Sequence, residues 1–126
     1  MFKTEVLDAL KARRSVRRYL PEQIKEEELA AVLEAGTYAP TAMGRQSPVM
    51  VAVQDAADIA VMRRLNQAVM GTDSDPFYGA PTVVVVFGTP GGCGLEDASL
   101  VLGNLLNAAY AVGLGSCWIH RAKETF

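Results

Sequence analysis

Apolar residues recur along this chain at two periods, and the switches between them predict its elements. Over residues 4–14, Val6, Leu7 and Leu10 fall on one face of a helix that Thr4 is suited to cap. Ser15 to Tyr19 is a short β-branched and aromatic stretch, closed by Pro21. Glu26, Glu27 and Glu28 suit the positive end of a second helix, where Leu29, Val32 and Leu33 repeat at helical spacing. Its end is expected near Gly36, because Pro40 forbids continuation. Pro48 to Val53 predicts a buried strand. Asp55, with Asp58 three positions on, caps a third helix with an apolar stripe of Ile59, Met62, Leu65 and Val69. The continuous β-branched run Thr82 to Phe87 predicts a strand buried on both faces. Glu96 to Val112 predicts the longest helix, apolar nearly all round and therefore central, with Gly113 just past its end. Ser116 to Ile119 predicts a further strand. Arg121 to Phe126 has the composition of a helix start but too few residues to form one.

With 126 residues, half of them hydrophobic, residues 1–126 are expected to form a single domain with its own core. The net charge of −2 argues against a broad nucleic-acid-binding surface, because the one dense basic cluster is local. Two cysteines are too few for a disulfide scaffold, and one histidine excludes most zinc sites, so no metal is expected. Met1 to Lys11 lacks the layout of a signal peptide, and Asn104 and Asn107 interrupt the longest apolar run. A cytoplasmic protein without a membrane span is the expectation.

Several chemistries are excluded by pattern. Gly113-Leu114-Gly115 follows a helix and lacks the third glycine of a dinucleotide fingerprint, and no P-loop occurs. No G-x-S-x-G is present, and a serine triad would have to depend on His120. Gly91 to Gly94 reads as a tight turn, and Cys117 as a small buried hydrophobe. Asn104 and Asn107, on an otherwise apolar helix, need hydrogen-bond partners if buried, from backbone or a facing subunit.

One segment departs from the rest. Lys11 to Arg18 carries five cations in eight residues, no acid, and Ser15 in its middle. Such a cluster repels itself unless it meets an anion, and guanidinium groups beside a hydroxyl suit a phosphate. Cations favoured at a helix C-terminus are the equally simple alternative.

Taken in order, four segments resemble the FMN-dependent nitroreductase family of NAD(P)H oxidoreductases. They are Arg13-Arg14-Ser15-Val16-Arg17, the loop from Ala39 to Gln46, Tyr78 to Val86, and Asp97 to Asn104 continuing through Ala111 to Trp118. The resemblance implies an α+β fold of the nitroreductase-like type. This is a three-layer α/β/α arrangement with a central mixed sheet flanked by helices, assembled as a homodimer with FMN at the subunit interface. It further implies hydride transfer from NADH or NADPH, through FMN, to a small-molecule acceptor such as a nitroaromatic or quinone, by a ping-pong scheme.

By position, the resemblance assigns Arg13, Arg14, Ser15 and Arg17 to the flavin phosphate, ribityl chain and pyrimidine edge. Arg17 is the residue expected to stabilise negative charge on the reduced ring. No side chain is assigned as acid, base or nucleophile. Pro40, Thr41, Ala42, Met43 and Gln46 match the loop that reaches the flavin in the dimer, where Gly44 replaces the usual Asn and Ser47-Pro48 the usual Pro-Trp. Asn66 matches a residue that bonds the pyrimidine, with an ordinary exposed Asn as the alternative. Family members continue for several tens of residues past the position of Phe126, so the chain is expected to be C-terminally short. Two other readings remain open from sequence: a degenerate flavin-binding member without turnover, and an unrelated phosphate- or nucleic-acid-binding domain built on Lys11–Arg18.

Overall fold

The computed structural model describes residues 1–126. Four helices and two strands follow one another as α1 (Glu5–Ala12), α2 (Glu26–Thr37), β1 (Val49–Val53), α3 (Ala56–Met70), β2 (Val83–Phe87) and α4 (Gly94–Ala111). Short 3₁₀ turns lie at Ala42–Gly44 and His120–Glu124, the latter where the sequence suggested the start of a helix.

The expected caps form. Thr4 Oγ1 accepts the Leu7 amide at 3.2 Å, and Asp55 Oδ1 accepts the amides of Ala57 and Asp58 at 2.9 and 3.0 Å. Past α4, Gly113 takes φ +84°, Leu114 N donates to Ala109 O at 2.8 Å, and Gly113 N donates to Tyr110 O at 3.0 Å. These two bonds satisfy carbonyls that a helix end otherwise leaves free, and only glycine adopts that φ without strain.

α2 runs one residue past the expected stop. Gly36 lies inside it, buried, because a close approach requires it. A Cβ there would sit 2.6 Å from Met50 Sδ and 2.8 Å from Leu105 Cδ2. The last carbonyls of α2 are all engaged. Glu34 O accepts the Thr37 hydroxyl at 2.6 Å, Ala35 O accepts Asn104 Nδ2 at 2.9 Å, and Thr37 O accepts Gln46 Nε2 at 2.7 Å. Asn104 thus bonds to backbone, as its place on an apolar helix required.

β1 and β2 pair antiparallel, from Val49 opposite Phe87 to Val53 opposite Val83. Met50, Val84 and Val86 lean on a core of Val32, Ala39, Val101, Leu105 and Ala109, drawn from α2, the loop after it and α4. On the other face of the sheet, Val49, Val51 and Phe87 are exposed. The class is α+β, and the sheet is smaller than expected. The strand expected at Ser116–Ile119 is reduced to one isolated parallel bridge between Ser15 and Ser116, outside the two-stranded antiparallel sheet.

Only 13 of 126 residues are buried, so much apolar surface stays open. β2 is half-buried rather than enclosed on both faces. The stripe of α3 is also rotated from expectation. Ile59 is buried and Met62 half-buried, whereas Leu65 and Val69 face solvent and Asn66 takes the innermost position.

Candidate functional site

The basic segment divides its side chains by a change of backbone. α1 ends at Arg13, whose amide donates to Ala9 O at 3.0 Å and whose ψ of 139° turns the chain out into an extended run. Arg14 Nη1 donates to Lys11 O at 2.7 Å and to Arg13 O at 2.8 Å, closing the helix it follows. For Arg14 the helix-end alternative therefore describes the observed contacts. Arg13 behaves otherwise, since its Nη1 is buried and has no hydrogen-bond partner.

Val16 N donates to Ser116 O at 2.9 Å and holds the extended run in place. Val16, Arg18 and Tyr19 line a large cleft, whereas Ser15 and Arg17 do not. The only ion pair in the chain joins Arg63 to Asp75 at 4.0 Å, so no carboxylate neutralises any of the five cations.

The loop from Pro40 to Gln46 is wound tightly. Met43, Gly44 and Gln46 have φ of +55°, +63° and +51°, a region that disfavours side chains. Internal bonds hold it. The Thr41 hydroxyl bonds Gln46 Oε1 at 2.6 Å, Gln46 N donates to Thr41 Oγ1 at 2.9 Å, and Gly44 N donates to Thr41 O at 3.0 Å. The polar side-chain atoms of Thr41 and Gln46 are engaged within the loop and, through Gln46 Nε2, at the end of α2. Met43, at 86% exposure, is held outward, with Pro40 also exposed. The amide of Ala42 donates to Asp97 Oδ1 at 2.9 Å. No sequence pattern announced that contact, because an acid in the first turn of α4 already has a sufficient local reason.

Asn66 is the most enclosed side chain in the protein. It is 0% exposed, and neither Oδ1 nor Nδ2 has a hydrogen-bond partner. The exposed alternative is thereby removed. A buried carboxamide without partners costs roughly 1–3 kcal/mol, and native proteins rarely retain one that has no ligand or water to meet.

The large cleft, about 1100 Å³, lies among α2, α4, β2 and the 3₁₀ turn at His120–Glu124. None of the residues that the resemblance assigns to the flavin lines it. Cys117 lines it half-buried, rather than sealed in a core. So does Tyr19, whose hydroxyl donates to the Val16 carbonyl. Its pKa is pushed up to about 12, first by burial and then by the nearby Cys117; Arg17 acts in the opposite direction and Tyr78 adds slightly to the rise.

The buried unpartnered amide of Asn66, the arginines without a carboxylate partner and the strained loop are three separate features of this α+β domain that suit a ligand. Comparison with known proteins says which kind. The nitroreductase family profile matches residues 10–75, just over half of the chain. An FMN-bound nitroreductase from Bacteroides fragilis superposes with a TM-score of 0.88 at 33% identity, over 94% of this chain and 71% of its own. A second, from Desulfitobacterium hafniense and also with bound FMN, gives 0.90 at 25% identity, over 99% and 74%. A protein of Methanothermobacter thermautotrophicus provisionally named an NADH dehydrogenase/NAD(P)H nitroreductase is 27% identical over 92% of this chain. The chain belongs to the nitroreductase family. It spans 61% of the length of that archaeal relative and 67% of a similarly named one from Archaeoglobus fulgidus. Membership removes the reading as an unrelated domain built on Lys11–Arg18.

Proposed function

We propose that this chain binds FMN and acts as a flavin-dependent NAD(P)H oxidoreductase, working as a homodimer in the cytoplasm on a small electron acceptor such as a nitroaromatic or quinone. The observation that carries this reading is Asn66, fully buried with both polar atoms unpartnered at the position the resemblance assigns to the flavin pyrimidine. A carboxamide can donate and accept at once, which matches a pyrimidine edge that presents both an N–H and carbonyl oxygens. The buried, unpartnered Nη1 of Arg13 supports the same reading.

In this assignment Arg13 and Ser15 hold the phosphate and ribityl side, Arg17 the pyrimidine edge, and Asn66 fixes the ring. Ala42 and Met43 contribute from the loop, with Pro40, Thr41 and Gln46 shaping it, while Arg14 closes α1. When bound, FMN supplies the two-electron chemistry between NAD(P)H and the acceptor by a ping-pong scheme. The guanidinium of Arg17 stabilises negative charge at the pyrimidine edge and thereby favours the reduced cofactor.

The homodimer is supported by apolar rows that the chain leaves open. Val6 and Leu10 lie along the outside of α1, with Phe2 just ahead of it, and Val61, Leu65 and Val69 along the outside of α3, all of them exposed. Rows at this spacing suit a partner helix. The two cysteines are unpaired, in keeping with a reducing compartment.

Titration of cofactor-free protein with FMN, followed by flavin fluorescence, tests the reading. Saturable binding at one site per chain, and bleaching of the bound flavin by NADH or NADPH without oxygen, are the expected results. Absence of binding would overturn the assignment. Binding without bleaching would leave a flavin carrier in place of an enzyme. Sedimentation at micromolar concentration should give the mass of a dimer.

A further inference from the structure

We propose that Asp97 is a positioning residue for the cofactor loop, reaching from the first turn of α4 to set the pose of Ala42 and the outward-held Met43. The proposal rests on the reading above that this loop meets FMN. The 3₁₀ turn Ala42–Gly44 begins after Thr41, whose extended backbone (φ −135°, ψ 158°) is that of an N-cap. The hydroxyl of such a residue ordinarily accepts an amide of the turn it precedes. Here the Thr41 hydroxyl is committed to Gln46 instead, and it makes no cap bond. Such a cap in any case serves the second or third amide, so the turn's first amide, on Ala42, needs a partner from elsewhere. Asp97 Oδ1 accepts it at 2.9 Å from 55 residues away in the chain.

Three features make this bond more than local tidying. Asp97 is buried, at 6% exposure, so its carboxylate has little water to fall back on and the contact is charge-assisted. The loop it holds has left-handed backbone at Met43 and Gln46, a conformation that persists only where the surroundings over-determine it. The bonds among Thr37, Thr41 and Gln46 tie the far end of the loop to α2, and Asp97 ties the near end to α4. The loop is thus anchored to both helices of the core, with Met43 at its tip.

The test compares Asp97→Ala, Asp97→Asn and Glu96→Ala with the unaltered chain. The readouts are hydrogen exchange at the Ala42 amide and FMN affinity of the cofactor-free protein. Asp97→Ala is expected to speed Ala42 exchange and weaken FMN binding, each about tenfold. Asp97→Asn keeps an Oδ1 acceptor and should restore both to within about threefold. Glu96→Ala, an exposed acid in the same turn, should change neither and so controls for charge near the helix start.

An Ala42 amide equally protected in Asp97→Ala, or Asp97→Asn as impaired as the alanine variant, overturns the proposal. Should Asp97→Ala fail to fold, Ala42→Pro removes the same bond from the donor side, and the extended Thr41 accepts a following proline. Ala42→Pro should weaken FMN to the same extent, and adding Asp97→Asn to it should add nothing; additive losses overturn the proposal. Failure of the unaltered chain to bind FMN would sink the cofactor reading alone, because Ala42 exchange still reports the tether.

Discussion

Asn104 and Ala35 join the two helices that build the core: Asn104 Nδ2 donates to the Ala35 carbonyl at 2.9 Å. That carbonyl lies in the last turn of α2, where the helix itself supplies few donors. Asn104→Leu would strip the carbonyl of its side-chain partner in a half-buried setting. It should destabilise the protein by about 1–2 kcal/mol, read as a lower urea midpoint with an unchanged slope. An unchanged midpoint would mean that water replaces the carboxamide without loss.

Two glycines should respond oppositely to alanine. A Cβ on Gly36 meets Met50 Sδ at 2.6 Å and Leu105 Cδ2 at 2.8 Å, whereas one on Gly103, inside α4, meets nothing within 4 Å. Gly36→Ala should cost about 1–3 kcal/mol through overpacking of α2 against β1 and α4. Gly103→Ala should stabilise the isolated chain by roughly 0.5–1 kcal/mol, because alanine loses less backbone freedom in a helix. Thermal melts of the two variants at low protein concentration check the pair. Equal shifts would show that the interhelical spacing relaxes freely.

This contrast illustrates what the residues announced and what they concealed. Thr4, Asp55 and Gly113 act through bonds within a few residues, so their caps were legible from type and position. The end of α2, at Thr37, was also legible from Gly36 and Pro40, but the close packing at Gly36 was not, because its neighbours Met50 and Leu105 are remote in the chain. The stripe on α3 was misread for a related reason. Leu65 and Val69 satisfy helical periodicity as well as Ile59 does, yet the inward position belongs to Asn66. Hydrophobic period locates a core face only when no polar residue has been placed inward for another purpose. Asp97 shows the same gap, since its bond to Ala42 spans 55 residues. The candidate site was legible through family resemblance, and from the residues alone only as an unpaired basic cluster.

Tyr19 should impose a pH dependence at the alkaline end. Its hydroxyl, raised from 10.0 to about 12 with burial as the leading cause, keeps its proton in the folded chain over an interval where the unfolded chain releases it. The unfolded state then binds fewer protons, so stability falls as pH rises through that interval and is unaffected below it. Phenolate absorbance should show one of the four tyrosines ionising above the others. Tyr19→Phe should remove that late step and flatten the alkaline loss of stability. A late step that survives in Tyr19→Phe would assign it to another tyrosine.

Arg17→Ala should weaken FMN and lower the midpoint potential of the bound flavin, because the variant lacks the cation assigned to the pyrimidine edge. Loss of one charge-assisted hydrogen bond is worth roughly 1.5–3 kcal/mol, or one to two decades in affinity. The control must be chosen with care. Arg63 is engaged with Asp75 at 4.0 Å, so its removal would disturb the loop after α3. Arg64, its exposed neighbour without an ion pair, is the better choice. Arg64→Ala should leave affinity and potential unchanged, and an Arg17→Ala variant that matched it would remove Arg17 from the site.

Asn66 offers the sharpest separation between a structural and a ligand-binding role. A carboxamide that served the fold would bond to the protein, and its replacement by an apolar residue would destabilise the chain. Here both polar atoms are buried without partners, so in the cofactor-free protein they carry a desolvation cost and return nothing. Asn66→Leu keeps the branched outline and exchanges the two polar atoms for methyl groups. It should raise the stability of the cofactor-free chain, by about 1 kcal/mol or more, and lower FMN affinity at least tenfold. The opposite signs are diagnostic, since a packing defect would lower both and an irrelevant position would move neither. Denaturant unfolding without FMN, set beside FMN titration of the same two proteins, gives both signs. A less stable Asn66→Leu with unchanged FMN affinity would return Asn66 to the fold and leave the flavin assignment resting on the arginines alone.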